Sequence, residues 1–123
     1  MASHQTLMET PQIMKHLVSS ALAAALLLAV GSTHAAVDAA KAKDLATKNA
    51  CLGCHAAATK VVGPAYKDVA EKYKGMDPAK LAASIKAGSS GKWGAVPMPP
   101  QAALSDADAK LLASWILAGA PGL

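Results

Sequence analysis

The chain has 123 residues and a formal net charge of +4, set by 12 basic and 8 acidic side chains, a length that suits one small domain. Every basic residue is lysine, and no basic stripe interleaves with aromatics, which argues against nucleic-acid binding. The 53% apolar content overstates the core, because much of it is alanine and part lies in an N-terminal leader.

Residues 1–13 show no structural pattern and read as an extension or tag. From Met14 the chain has the layout of a secretory signal peptide: a basic start at Lys15 and His16, an apolar run from Leu17 to Val30, and small residues up to Ala35. The competing reading is a membrane anchor, but the run is shorter than the roughly 20 residues a span needs. Cleavage after Ala35 is expected, with Ala36 as the alternative. The mature domain is then residues 36–123. Losing Lys15 and Glu9 removes one charge of each sign, so the net stays +4. Tyr66, Tyr73, Trp93 and Trp115 are its aromatics, and the chain has no Phe. A domain this small with so few large side chains is expected to fold around something else apolar.

Taken in chain order, the elements are helices and loops, with no strand alternation. The Ala- and Lys-rich stretch from Asp38 to about Ala50 is helix-prone and runs directly into Cys51-Leu52-Gly53-Cys54-His55. A short helix is expected from about Ala65 to Tyr73. Asp77-Pro78 is an N-cap followed by proline at the first helical position; Leu81 and Ile85 share a face, and Gly88 ends that helix. Residues 88–104 carry no periodicity. Ser105 with Asp108 resembles a capping box, and Leu111, Leu112, Trp115 and Ile116 form an apolar stripe that Gly119 and Pro121 stop. The fold class expected is all-α, about four helices around one cofactor.

Three chemistries use Cys-x-x-Cys. After the leader, Cys51, Cys54 and His55 are the whole inventory of Cys and His. A closed zinc site lacks a fourth Cys or His ligand. A disulfide is allowed in an exported protein, but it leaves His55 unexplained, and no βαβ pattern surrounds the pair. A covalent c-type haem uses every member: two thioethers from Cys51 and Cys54, then His55 as an axial ligand. One motif means one haem. Met76 and Met98 are the mature methionines. Met76 reads as a linker residue before a helix start. Met98 lies between Pro97 and Pro99, on backbone too stiff to wander, as a sixth ligand requires.

These stretches resemble a known family. "CLGCH", "KVVGPAYKDVAEKY", "GKWGAVPMPPQ" and "SDADAKLLASWIL", in that order from about Asp44 to Leu117, are similar to the small bacterial class I cytochromes c of the c-551/c-552 type. The resemblance implies that Cys51 and Cys54 hold the haem covalently and that His55 and Met98 ligate its iron. It further implies that the Pro64 carbonyl accepts from the His55 ring, that Trp93 donates to a haem propionate, and that Gln101 lies near the axial sulfur. Trp115 would be a packing residue where the terminal helices cross. Some relatives carry a basic residue near the inner propionate, where this chain has Ser84.

A six-coordinate iron has no open position, so the expected role is electron transfer and not catalysis. The resemblance implies a soluble monomeric carrier in the periplasm, taking electrons from a quinol-oxidising complex and passing them to a terminal oxidase or a reductase such as nitrite reductase. Lys48, Lys60, Lys67 and Lys92 are expected to steer acidic redox partners. Two other readings are a ligand-binding or peroxidatic haem with a labile Met98, and a subunit held to the membrane by an uncleaved leader.

Overall fold

The computed structural model describes residues 36–123, and Ala36–Leu123 form one unit. The expected extension and leader lie outside the described residues. Among the described residues there are four α-helices, α1 (Ala39–Lys48), α2 (Tyr66–Lys72), α3 (Pro78–Ala87) and α4 (Asp106–Leu117), with a 3₁₀ turn over Cys51–Gly53 between the first two. Isolated bridges join His55 to Lys60 and Ser89 to Met98. No helix among the described residues is long and apolar enough to cross a membrane.

Three of the four described helices begin where the sequence supplies a side-chain acceptor. Asp38 accepts from the Lys41 N–H, Asp77 from Ala79 and Ser105 from Asp108, taking up N–H groups that have no partner within the helix. The exception is α2, whose N-cap Ala65 offers no side chain. There the Tyr66 and Lys67 N–H groups donate to the carbonyls of Ala56 and Ala57, at 2.9 and 3.0 Å. The loop after His55 thus caps α2, which ties the Cys-x-x-Cys-His segment to the helix beneath it.

α1 ends two residues before the expected Ala50. The Asn49 side chain donates to the Leu45 carbonyl at 2.8 Å, and Ala50 takes a left-handed conformation at φ 56°. An L-residue resists that conformation by about 1–2 kcal/mol. The sharp reversal is what delivers Cys51 into the 3₁₀ turn.

α4 is the central element, packing against α1, α2 and α3. Its buried face is Ala109, Leu112, Ala113 and Ile116, joined by a fully buried Trp115. Leu111, expected in that stripe, is half-buried at its edge, one residue off the repeat. The alanines Ala42 and Ala46 are fully buried on α1, small enough for close helix approach. Trp115 Nε1 donates to the Pro121 carbonyl at 3.0 Å, and Lys43 Nζ to that of Gly122 at 2.9 Å. These bonds fold the C-terminus back over the pair of terminal helices, so the packing role expected of Trp115 matches its position. Among the described residues no polar or charged side chain is buried.

Candidate functional site

The core does not close. α2, α3 and α4 contribute Val69, Leu81, Ile85, Leu112 and Ile116 to the floor of a cleft of ≈ 190 Å³. Packed interiors hold few voids larger than a water molecule. An apolar cleft of this size in so small a domain is therefore a seat for an apolar group.

Cys54, His55 and Pro64 line the cleft, as do Trp93 and Met98. The His55 wall is built from backbone. The His55 ring Nδ1 lies 2.8 Å from the Pro64 carbonyl oxygen. A carbonyl can only accept, so Nδ1 carries a proton, which leaves Nε2 as the nitrogen available to a metal. Gly63 presses against the same ring: a Cβ built there would sit 2.5 Å from Cε1. Tyr66 stacks on the imidazole at 5.1 Å between centroids with planes 14° apart, and meets Trp115 edge-on at 5.5 Å. The ring's direction is thus set by a hydrogen bond, a close backbone and a buried aromatic.

The Met98 wall is held differently. The Met98 N–H donates to the Ser89 carbonyl at 2.8 Å, and the Ser89 N–H returns a bond to Met98 at 3.1 Å. Gly88, at φ 74°, leaves room for this pairing, since a Cβ there would lie 2.6 Å from the Met98 carbonyl oxygen. The prolines stiffen the chain on either side, and the Ser89 pair places it. Met76 is half-buried against the core and does not reach the cleft.

The remaining expected residues divide. Trp93 reaches the cleft, as does Ser84. Gln101 does not: its side-chain amide donates to the Pro99 carbonyl at 3.3 Å, and its backbone N–H donates to Ile85. Cys51 is half-buried beside the core, Cys54 is exposed, and the two are not bonded to each other. Burial pushes the Cys51 thiol above its ordinary value, and burial likewise raises the Tyr66 phenol. Lys60 and Lys92 line the cleft, whereas Lys48 is paired with Asp44 at 2.6 Å. Gly63, Ser89 and Tyr66 are the residues that sequence reasoning passed over. Only Gly63 offered a signal, as a glycine directly before the proline that backs His55.

The Cys54 thiol, the His55 imidazole and the Met98 thioether line the apolar cleft, Cys51 lies against the core three residues before Cys54 in the same turn, and together they form a donor set that fits a covalent iron porphyrin. The cytochrome c family model matches residues 39–120.

The chain belongs to the cytochrome c family.

It is 57% identical over 97 residues to cytochrome c-552 of Nitrosomonas europaea, covering 77% of this chain and 88% of that one. Identity to cytochrome c-551 of Pseudomonas aeruginosa is 50% over 94 residues, covering 74% and 89%. The crystal structure of wild-type Nitrosomonas europaea cytochrome c552 superposes with a TM-score of 0.58 at 60% identity, over 61% of this chain and 95% of that one. That of the class 1 cytochrome MtoD from Sideroxydans lithotrophicus gives 0.58 at 34% identity, over 68% and 98%. The chain is a small class I cytochrome c, its cofactor is covalent haem c, and it is a haem-based electron carrier.

Proposed function

We propose that this cytochrome c is a periplasmic, one-electron shuttle whose haem iron is held by His55 Nε2 and Met98 Sδ. The observation that carries the reading is that His55 and Met98 line one cleft, the His55 ring hydrogen-bonded to the Pro64 carbonyl and the Met98 backbone paired with Ser89. When bound, the haem would supply a ferric/ferrous couple, and ligation by His55 and Met98 would raise its potential. Cys51 and Cys54 would tether it through thioethers. The Pro64 carbonyl accepts from Nδ1–H, which fixes the ring's tautomer and raises the basicity of Nε2. The His55 ring is bonded to the Pro64 carbonyl and the Met98 backbone to Ser89, so both residues would keep their places in either oxidation state of a bound haem. With both donors in place no position is left for a substrate, which favours a carrier over a catalyst.

Trp93 would donate its indole N–H to a propionate, and Ser84, with no charge, leaves that end of the cleft less positive than a basic residue would. Gln101 would act on the Met98 side only indirectly, through the Pro99 carbonyl that it holds. Lys60 and Lys92, beside the exposed Val62 and Val96 at the cleft, suit a transient acidic partner. Residues 14–35 would direct export, placing the mature monomer between a quinol-oxidising complex and a terminal oxidase or nitrite reductase.

The test is an absorption spectrum of the mature holoprotein, oxidised and reduced, with and without carbon monoxide. The expected result is a low-spin c-type spectrum, indifferent to carbon monoxide, with the ferric iron–methionine band. Ready carbon monoxide binding, or no such band, would replace the carrier with a ligand-binding haem. Met98→Ala should abolish the band and lower the potential.

A further inference from the structure

Residues 90–97 form much of the wall that carries Trp93, yet they are thinly attached. Among the described residues this stretch makes one hydrogen bond, from Lys72 Nζ to the Lys92 carbonyl at 3.0 Å. The same ammonium lies 4.2 Å from the centroid of the Trp93 ring, within cation–π range. Tyr73, the residue that ends α2, meets Trp93 edge-on at 6.0 Å. The loop's far end is Met98, where the Ser89 pair takes over.

The other lysines behave differently. Lys41, Lys48 and Lys86 are paired with carboxylates, and Lys43 is bonded to the C-terminal segment. Lys60, Lys67, Lys74, Lys80, Lys92 and Lys110 make no side-chain hydrogen bond or ion pair among the described residues. Lys72 alone both donates to the cleft loop and covers an aromatic ring in its wall. Its helix is placed to make that useful: Tyr66 at the start of α2 stacks on His55, and Lys72 near its end grips the Trp93 loop.

We infer that Lys72 is a positioning residue, latching loop 90–97 to α2 and thereby holding Trp93 in the cleft wall and steadying Met98. The role rests on the reading that Trp93 and Met98 serve the haem. It requires a cation with a donor at that place, since a neutral side chain of similar length loses both the ring contact and the hydrogen bond.

The experiment compares holoprotein Lys72→Met and Lys72→Arg, each with Trp93 intact or replaced by Leu, by amide hydrogen exchange and near-ultraviolet circular dichroism. In Lys72→Met, the Met98 and Ser89 amides should exchange roughly five- to tenfold faster, the loss of one cation–π contact and one exposed hydrogen bond. The Leu112 amide in α4 should change less than about twofold, because surface changes leave core opening nearly untouched. The Trp93 dichroism should weaken. Lys72→Arg should restore both signals, and the effect of Lys72→Met should shrink when Trp93 is Leu. Unchanged Met98 exchange in Lys72→Met overturns the latch. So does acceleration matched by Leu112, or an arginine variant no better than methionine. A parent protein lacking the iron–methionine band would overturn the ligation reading instead, while Met98 exchange would still decide the latch.

Discussion

Gly63→Ala probes the support of the His55 ring without replacing His55 itself. A Cβ at residue 63 would lie 2.5, 2.9 and 3.0 Å from Cε1, Nδ1 and Nε2 of His55. Carbon pairs settle at about 3.5–4.0 Å, so the ring and the loop must part by roughly an ångström. The loop resists, because the Gly63 N–H donates to the Cys54 carbonyl at 2.8 Å and the Gly63 carbonyl accepts from Val61 at 3.2 Å. The ring therefore moves, and its 2.8 Å bond to Pro64 is lost. Overpacking of this kind costs about 1–3 kcal/mol, and the hydrogen bond adds about 1 kcal/mol. The variant should be destabilised by about 2–4 kcal/mol, read as a fall in denaturation midpoint of the holoprotein at neutral pH. Its reduction potential should also shift, since His55 loses the carbonyl that raises its basicity. Gly53→Ala is the control: it has nothing within 4 Å of the new methyl and should stay within about 0.5 kcal/mol of the parent. Equal stability of the two variants, with an unchanged potential in Gly63→Ala, would refute the argument that this contact orients the ring.

Gly88→Ala should act on the Met98 segment, since its φ of 74° is strained for alanine and the new methyl would strike the Met98 carbonyl oxygen at 2.6 Å. A loss of about 2 kcal/mol or more is expected, with the iron–methionine band disappearing at lower denaturant than in the parent. Trp115→Phe keeps most of the buried volume but removes the 3.0 Å bond to Pro121, so a cost of about 1–3 kcal/mol is expected from the orphaned carbonyl and the lost ring, measured by thermal unfolding. Asp106→Asn tests a charge: the Lys86 ammonium, hydrogen-bonded to Asp106, holds its carboxyl below the ordinary value of 3.8. A carboxylate depressed in the fold contributes stability above that ordinary value and loses it as pH falls through the folded one. The Asn variant should therefore be slightly less stable than the parent at neutral pH, with the difference closing below pH 3.8. Denaturation midpoints across that range check the sign, and solvent screening keeps the effect small.

Much of the site was legible because covalent haem attachment demands adjacent residues. Cys51, Cys54 and His55 must be neighbours, so their spacing survives as a sequence motif. The start of α3 and of α4 was equally local: Asp77-Pro78 and Ser105 with Asp108 act within one turn of backbone. That Met98 lines the cleft was reachable by counting, because Met76 and Met98 are the methionines after residue 35, and by the prolines around it.

What tertiary structure decided lies between distant segments. α2 starts at Tyr66 because the Ala56 and Ala57 carbonyls come over to cap it, and nothing near Ala65 announces that. The Gln101 amide donates to the Pro99 carbonyl, a bond that its place in the chain does not announce. Leu104, within a stretch without periodicity, became part of the core. Ser89 clamps Met98, Tyr66 stacks on His55, and Lys72 covers Trp93 from 21 residues away in the chain. Sequence determined which groups could bind an iron porphyrin, since that depends on their chemistry and on spacing within a turn. Their aim depends on hydrogen bonds and van der Waals contacts a few ångströms long, and those exist only after α2, α3 and α4 have met around the cleft.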